Sequence, residues 1–115
     1  MHTFGFIELP TNDVQASCKF YRELFGWNTG MSKDTDYGYF WPQTGVKGGF
    51  SPNDTPASNG VVVYIETHDI EEVLNKAMDL GGEVVRRKTE IGGGHGFTAR
   101  FKDNMGNVLG LWSKG

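Results

Sequence analysis

Glu8 is the residue whose type and position best suit chemistry in this sequence. It follows Phe4 and Phe6 in an otherwise apolar segment. A carboxylate among apolar side chains loses hydration, which favours its protonated form and suits it to donate or accept a proton. Three interpretations stay open: Glu8 contacts a bound ligand, acts as a general acid or base, or forms a structural pair with a cation such as Arg100.

The three histidines and the single cysteine do not form a metal-binding pattern. His2 lies at the terminus, His68 precedes a predicted helix, and His95 lies in the glycine-rich segment Gly92–Gly96. We expect histidines spaced in this way on the surface, although His95 is a candidate ligand contact because a glycine-rich loop can move. Cys18 falls on the apolar stripe of a predicted helix, which indicates a small buried side chain.

Composition excludes several classes of protein. The chain has 115 residues, of which 37% are hydrophobic and 22% charged, as is typical of one folded domain. The net charge is −3, and the only basic run is Arg86–Lys88, expected on a solvated strand, so no nucleic-acid partner is predicted. The absence of a long apolar run or a leader-like start predicts no membrane partner and a cytoplasmic location.

Short strand-like segments alternate with two helical stretches. Asp13 is placed to cap a helix from Val14 to Phe25, and Asp69 to cap a second helix that ends at Gly81-Gly82. The predicted strands lie near residues 4–9, 27–33, 37–42, 46–51, 61–67, 83–88, 96–102 and 107–113.

The two halves of the sequence match each other. Asp13–Gly26 superposes on Asp69–Gly82 with an offset of 56 residues, and residues 46–51 superpose on 108–113 with an offset of 62. This pattern predicts one α+β domain, residues 1–115, built from two tandem βαβββ modules. Module 1 is 1–52, a linker is 53–60, and module 2 is 61–115. Their mixed sheets are expected to curve around a shared cleft, the default binding site.

Three segments make the chain resemble the vicinal oxygen chelate superfamily of glyoxalases, bleomycin-resistance proteins and extradiol dioxygenases. They are Glu8–Asp13 leading to Phe20–Trp27, the helix of Ile70–Gly82 with its double glycine, and Phe101–Trp112. The last resembles the family's F-x-D-P-x-G-N turn and final strand, with Asn104 in place of the proline. The resemblance covers essentially the whole chain and implies the fold described above.

Metal-using members of the family carry one ligand, usually His or Glu, on the first and the last strand of each module. By the resemblance, the first-strand positions fall on Phe6 and Val62, and the last-strand positions on Gly48 and Gly110. None of these four can bind a metal through its side chain. The resemblance therefore implies no metal ion and no cofactor at this site.

Strand alternation predicts which side chains face the cleft. The candidate ligand-binding residues are Phe6, Glu8, Gly48, Phe50, Val62, Tyr64, His95, Arg100, Gly110 and Trp112, with Glu8 also the candidate catalytic residue. The aromatic members would supply stacking area and the glycines room for a ligand. Tyr37, Tyr39 and Trp41 alternate on another strand, and the sequence does not decide which face they occupy.

We expect a metal-independent protein of this superfamily that binds an aromatic or amphipathic small molecule. One alternative is a glyoxalase-like lyase or isomerase in which Glu8 moves a proton next to a carbonyl. Others are a metal-dependent member and an interaction module whose cleft is filled by its own aromatic residues or a partner chain. A homodimer is expected because the family commonly pairs modules between chains.

Overall fold

The computed structural model describes residues 2–115, so Met1 of the predicted module 1–52 lies outside the described residues. The chain divides into two compact units, Met1–Pro56 and Ala57–Gly115. Each unit is described by itself below. Within residues 2–115, no helix has the length and apolar character needed to cross a membrane.

Unit 1 contains one helix and one four-stranded sheet. Strand β1 runs parallel to β4, whereas β4, β3 and β2 are antiparallel neighbours, giving the order β1-β4-β3-β2. The elements are β1 (Ile7–Pro10), α1 (Val14–Phe25), β2 (Asn28–Met31), β3 (Gly38–Trp41) and β4 (Gly48–Ser51).

Unit 2 has the same arrangement. Its strand order is β5-β8-β7-β6, with β5 parallel to β8 and the other neighbours antiparallel. The elements are β5 (Tyr64–Glu66), α2 (Ile70–Asp79), β6 (Glu83–Glu90), β7 (Phe97–Lys102) and β8 (Val108–Ser113). The predicted α+β class with two βαβββ modules is confirmed. The first strand of each module is shorter than predicted, so Phe6 and Val62 lie just before β1 and β5.

Both helices begin at the predicted caps. The Asp13 carboxylate accepts a hydrogen bond from the amide of Ala16 (3.1 Å), and the Asp69 carboxylate accepts one from the amide of Glu72 (3.1 Å). These bonds satisfy amides that have no partner within the helix. Helix α1 ends at Gly26, whose φ of 72° is the left-handed conformation that glycine adopts without a steric penalty.

Each helix covers one face of its sheet and so forms the core of its unit. In unit 1 the Tyr21 ring on α1 lies 5.5 Å from the Phe50 ring, and Phe50 lies 5.2 Å from Phe40. Trp27 stacks on Phe40 with ring centroids 4.9 Å apart. Cys18 is buried, as predicted for the apolar stripe of α1.

The prediction that Gly48 and Phe50 share a face with Glu8 is wrong. Phe50 is 1% exposed and packs against α1, and a Cβ at Gly48 would overlap the ring of Phe40 in the same core. Glu8 pairs in register with Gly49, as Tyr64 pairs with Gly110, so the last strands match with an offset of 61 residues rather than 62. Because side chains alternate along a strand, a slip of one residue moves each of them to the opposite face.

The turn between β7 and β8 is organised by a single buried carboxylate. Asp103 Oδ1 accepts hydrogen bonds from the amides of Met105, Gly106 and Asn107, each 2.9 Å long. Asp103 Oδ2 accepts another from Asn107 Nδ2 (3.1 Å). Asp103 is 4% exposed, so these bonds are shielded from water. The carboxylate thereby fixes how β8 leaves the turn.

We expect Asp103→Ala to lower the free energy of unfolding by about 3 kcal/mol, because several amides lose their acceptor in a shielded site. Urea unfolding followed by circular dichroism measures this change. Asp34→Ala, at an exposed loop position, is the matched control and should alter stability by less than about 0.5 kcal/mol. Equal stability of the two variants would contradict this role for Asp103.

Candidate functional site

The face of the unit 1 sheet opposite α1, called face 1 here, carries polar and aromatic groups. Glu8, Gly49, Tyr39 and Gly30 are successive partners across the four strands. Tyr37 precedes β3, and its hydroxyl reaches Glu8 on face 1. The sequence did not decide which face Tyr37, Tyr39 and Trp41 occupy, and the structure places them on face 1.

Tyr37 and Glu8 form a short hydrogen bond on face 1. The Tyr37 hydroxyl donates to Glu8 Oε2 at 2.6 Å. Burial raises the pKa of the Tyr37 phenol, and the hydrogen bond to the Glu8 carboxylate and its charge raise it further. Tyr37 therefore keeps its proton at neutral pH and acts as the donor. Glu8 is exposed, so the apolar enclosure expected for it is not found, and its partner is Tyr37 rather than Arg100.

The aromatic rings of face 1 form a continuous row. Ring centroids are 5.1 Å apart between Tyr37 and Tyr39 and 5.9 Å apart between Tyr39 and Trp41, which is 42% exposed. A shallow depression of about 540 Å³ lies at the Tyr37 end of this row. It is lined by Thr35, Asp36, Tyr37, Tyr39, Pro52 and Asn53. Such a row, with Tyr37 and Tyr39 half-buried and Trp41 exposed, presents a surface suited to flat, apolar molecules.

The corresponding face of the unit 2 sheet, called face 2, lies opposite α2. Tyr64 pairs with Gly110, which pairs with Arg100, and Trp112 pairs with Thr98. The predicted sharing of one face by Tyr64, Gly110, Arg100 and Trp112 is therefore correct. Face 2 combines two aromatic side chains with a guanidinium, whereas face 1 combines its aromatic row with a carboxylate.

Arg100 holds the Tyr64 side chain in place. Its Nη2 and Nε lie 3.1 and 3.4 Å from the Tyr64 hydroxyl, and its guanidinium carbon lies 5.9 Å from the centre of the Tyr64 ring. The hydrogen bond from Arg100 lowers the pKa of the Tyr64 phenol, and Arg86 acts in the same direction. Arg86, which the sequence placed only on a solvated strand, therefore belongs to the same cluster.

His95 enters face 2 through its backbone. The Trp112 indole Nε1 donates to the carbonyl oxygen of His95 at 2.9 Å. The amide of Ile91 donates to the carbonyl of Gly96 (2.9 Å), which closes the glycine-rich loop at its base. The His95 side chain is exposed. The loop is thus attached to face 2 by a backbone acceptor, and ligand contact by the imidazole stays a prediction.

The positions that carry metal ligands in the vicinal oxygen chelate superfamily, which the sequence resembles, do not fit a metal ion here. Phe6 and Val62 lack side-chain donor atoms, and the strand register makes Gly49 rather than Gly48 the equivalent in unit 1 of Gly110 in unit 2. A Cβ at Gly49 would overlap the Tyr37 ring, and one at Gly110 would overlap the Tyr64 ring. Each space where a ligating side chain would begin is therefore filled by a tyrosine. No group of three or more His, Cys, Asp or Glu suited to a metal occurs within residues 2–115.

Three parts of these faces were missed by sequence reasoning. Gly49 was missed through the one-residue slip, and Tyr37 as the partner of Glu8 because the two are 29 residues apart in the chain. Arg86 was missed because β6 shifts register on both sides of it, between Val84 and Arg86 and between Arg86 and Thr89. Simple alternation along β6 does not hold across such irregularities.

Comparisons with known proteins agree with the fold. The model of the Glyoxalase/Bleomycin resistance protein/Dioxygenase superfamily matches residues 3–111. "Putative glyoxylase CFP32" from Mycobacterium tuberculosis (strain CDC 1551 / Oshkosh) is 28% identical over 118 residues, covering 96% of this chain. The identically named Mycobacterium bovis protein matches equally. The chain spans 45% of the length of these curated relatives.

Solved structures give the same result at the level of the fold. A fosfomycin resistance protein, FosX, from Listeria monocytogenes superposes with a TM-score of 0.80 at 16% identity, covering 97% of this chain and 90% of that chain. A family enzyme from Burkholderia phytofirmans PsJN superposes with a TM-score of 0.77 at 15% identity, covering 95% and 96%. Because the family model matches nearly the whole length of this chain, the chain belongs to the Glyoxalase/Bleomycin resistance protein/Dioxygenase superfamily.

Proposed function

We propose that this chain is a metal-independent member of its superfamily that binds an aromatic or amphipathic small molecule. The observation that carries the proposal is the pair of glycines, Gly49 and Gly110, each covered by a tyrosine ring. A glycine offers no side-chain donor, and the ring occupies the volume that a ligating side chain would need. Binding through rings and hydrogen-bonding groups is then the chemistry that the two faces support best.

Face 1 by itself offers apolar area for the proposed binding. Tyr39 and Trp41 stack with each other and leave ring area accessible. Burying such area against a flat ligand removes apolar surface from water, which is the main source of affinity in small-molecule sites. The Glu8–Tyr37 pair at the same face supplies a carboxylate that can orient a polar substituent of the ligand.

We expect the purified chain to retain less than about 0.1 equivalent of Mn, Fe, Ni or Zn. The reason is that the positions where metal ligands would stand, Phe6, Gly49, Val62 and Gly110, have no side-chain donor atoms. Native mass spectrometry of tag-free protein, prepared without chelators, measures metal content and assembly together. A homodimer of the 12.7 kDa chain is the proposed assembly. One equivalent of a divalent metal per chain would contradict metal independence, and a monomer at micromolar concentration would contradict the dimer.

We expect Trp41→Ala to weaken binding of the neutral aromatic probe 2-naphthol at least about tenfold, because the variant removes accessible ring area from face 1. Titration calorimetry measures the affinity. The control is Met31→Ala, since Met31 is 44% exposed and pairs with Gly38, whose position faces α1 on the side of the sheet opposite face 1. Equal loss of affinity in both variants, or no saturable binding to the wild-type protein, would contradict a binding role for face 1.

The Tyr37–Glu8 hydrogen bond favours a second candidate function, a lyase or isomerase that moves a proton next to a carbonyl. Glu8 would accept a proton from the carbon beside the carbonyl and later return it. Tyr37 acts as a positioning residue, because its hydroxyl holds Glu8 Oε2 through the 2.6 Å bond. A carboxylate fixed in this way can serve as a general base if a substrate reaches its other oxygen.

For this second candidate we expect Glu8→Gln to abolish catalysed exchange of the protons beside the carbonyl in a panel of 2-oxo acids in D₂O. The amide keeps the shape of the side chain but cannot accept the proton, so the fold should persist. Proton NMR follows the exchange, with Glu23→Gln on the exposed side of α1 as the control. Exchange no faster than in buffer, or unaffected by Glu8→Gln, would remove this function.

A further inference from the structure

Two arginines lie side by side on face 2. Arg86 on β6 and Arg100 on β7 are directly opposed partners in the antiparallel ladder. Both guanidiniums reach side chains of face 2, since Arg86 bonds to Thr98 and Arg100 to Tyr64. Like charges opposed across neighbouring strands destabilise a sheet unless something compensates them. A negative group bound beside the two guanidiniums would supply this compensation.

Neutral groups are the partners of these arginines within the chain. Arg86 Nη2 donates to Thr98 Oγ1 at 2.9 Å, and Arg100 donates to the Tyr64 hydroxyl. Arg87, the neighbour of Arg86 on β6, instead forms an ion pair with Glu71 of α2, on the opposite side of the sheet. Within residues 2–115, the two opposed guanidiniums on face 2 thus have hydrogen-bond acceptors but no carboxylate partner.

The remaining charged groups near this face do not neutralise the pair. Three further charged residues lie on face 2 by strand register. Glu66 pairs with Trp112, and Glu83 pairs with Lys102. Within residues 2–115 neither of these glutamates comes within ion-pair distance of Arg86 or Arg100. The two arginines affect Tyr64: hydrogen bonding from Arg100, and to a smaller extent from Arg86, lowers the pKa of its phenol.

We propose that Arg86 and Arg100, with the hydroxyls of Tyr64 and Thr98, form a binding site for an oxyanion, a carboxylate or a phosphate. A guanidinium presents several N–H groups in one plane and can bind such groups through two parallel hydrogen bonds. The two hydroxyls, already held by the arginines, are positioned to contact the same anion. The inference rests on the proposed small-molecule function and deepens it, since face 2 would take a ligand that carries an anionic group.

The test uses the full-length protein and three probes that share one ring: benzoate, phenyl phosphate and neutral benzamide. We expect saturable binding of at least one anion and binding of benzamide at least about tenfold weaker. Arg86→Gln and Arg100→Gln should each weaken the anion about ten- to a hundredfold, as expected for loss of a charge-assisted hydrogen bond. Arg87→Gln, on the same strand and paired with Glu71, is the control and should change affinity less than about twofold.

A second readout uses the wild-type protein and so does not depend on the folding of variants. Bound anion offsets the guanidinium charge, so the Tyr64 phenol pKa should rise toward its ordinary value when benzoate or phenyl phosphate is added. NMR of tyrosine labelled with carbon-13 at Cζ, assigned with Tyr64→Phe, follows this titration. Benzoate binding with no phosphate response assigns a carboxylate, and the reverse assigns a phosphate.

Three outcomes would overturn the anion site. They are equal affinity for benzamide and benzoate, equal loss in Arg87→Gln and Arg100→Gln, and a Tyr64 pKa that does not respond to either anion. Each leaves the proposed function standing if 2-naphthol still binds through Trp41. Failure of 2-naphthol binding, with anion binding intact, would instead remove the aromatic surface on face 1 and keep the oxyanion site.

Discussion

The features of both faces depend on the close approach of a tyrosine ring to a backbone that has no side chain. Gly49 and Gly110 each lie in the last strand of a unit, and a Cβ at either position would overlap a tyrosine ring. The ring can lie against the strand only because glycine leaves that space empty. The hydroxyl is thereby delivered to a charged neighbour, Glu8 in unit 1 and Arg100 in unit 2.

The same positions in the two sheets carry different chemistry. Opposite the central glycine, the first strand presents Glu8 in unit 1 and Tyr64 in unit 2, while the third strand of the sheet order presents Tyr39 and Arg100. The fourth strand of the sheet order presents Gly30 in unit 1 and Arg86 in unit 2. One scaffold thus bears an acidic, aromatic surface and a cationic one. The division follows from side-chain identity alone, since the strand order is the same in both units.

Sequence patterns predicted the elements better than the details of each face. The Asp13 and Asp69 caps were predictable because capping depends on residues three positions apart. In unit 2 the shared face of Tyr64, Arg100 and Trp112 was predicted correctly, because they alternate with clearly apolar neighbours along their own strands. In unit 1, two adjacent glycines in β4 provide no side chains to distinguish the faces. The register is instead fixed by packing of Phe50 on α1, a contact between distant parts of the chain.

The glycine-rich loop before β7 constrains how this surface can vary among related sequences. Gly92, Gly93, Gly94 and Gly96 have φ values of 96°, 63°, 77° and 91°, a region that other residues enter only with strain. A Cβ at Gly96 would also overlap the carbonyl oxygen of Ser113. Any side chain introduced at these four positions deforms the loop that Trp112 holds by a hydrogen bond. Position 95 is the place where this turn can exchange one functional group for another while its backbone path is preserved.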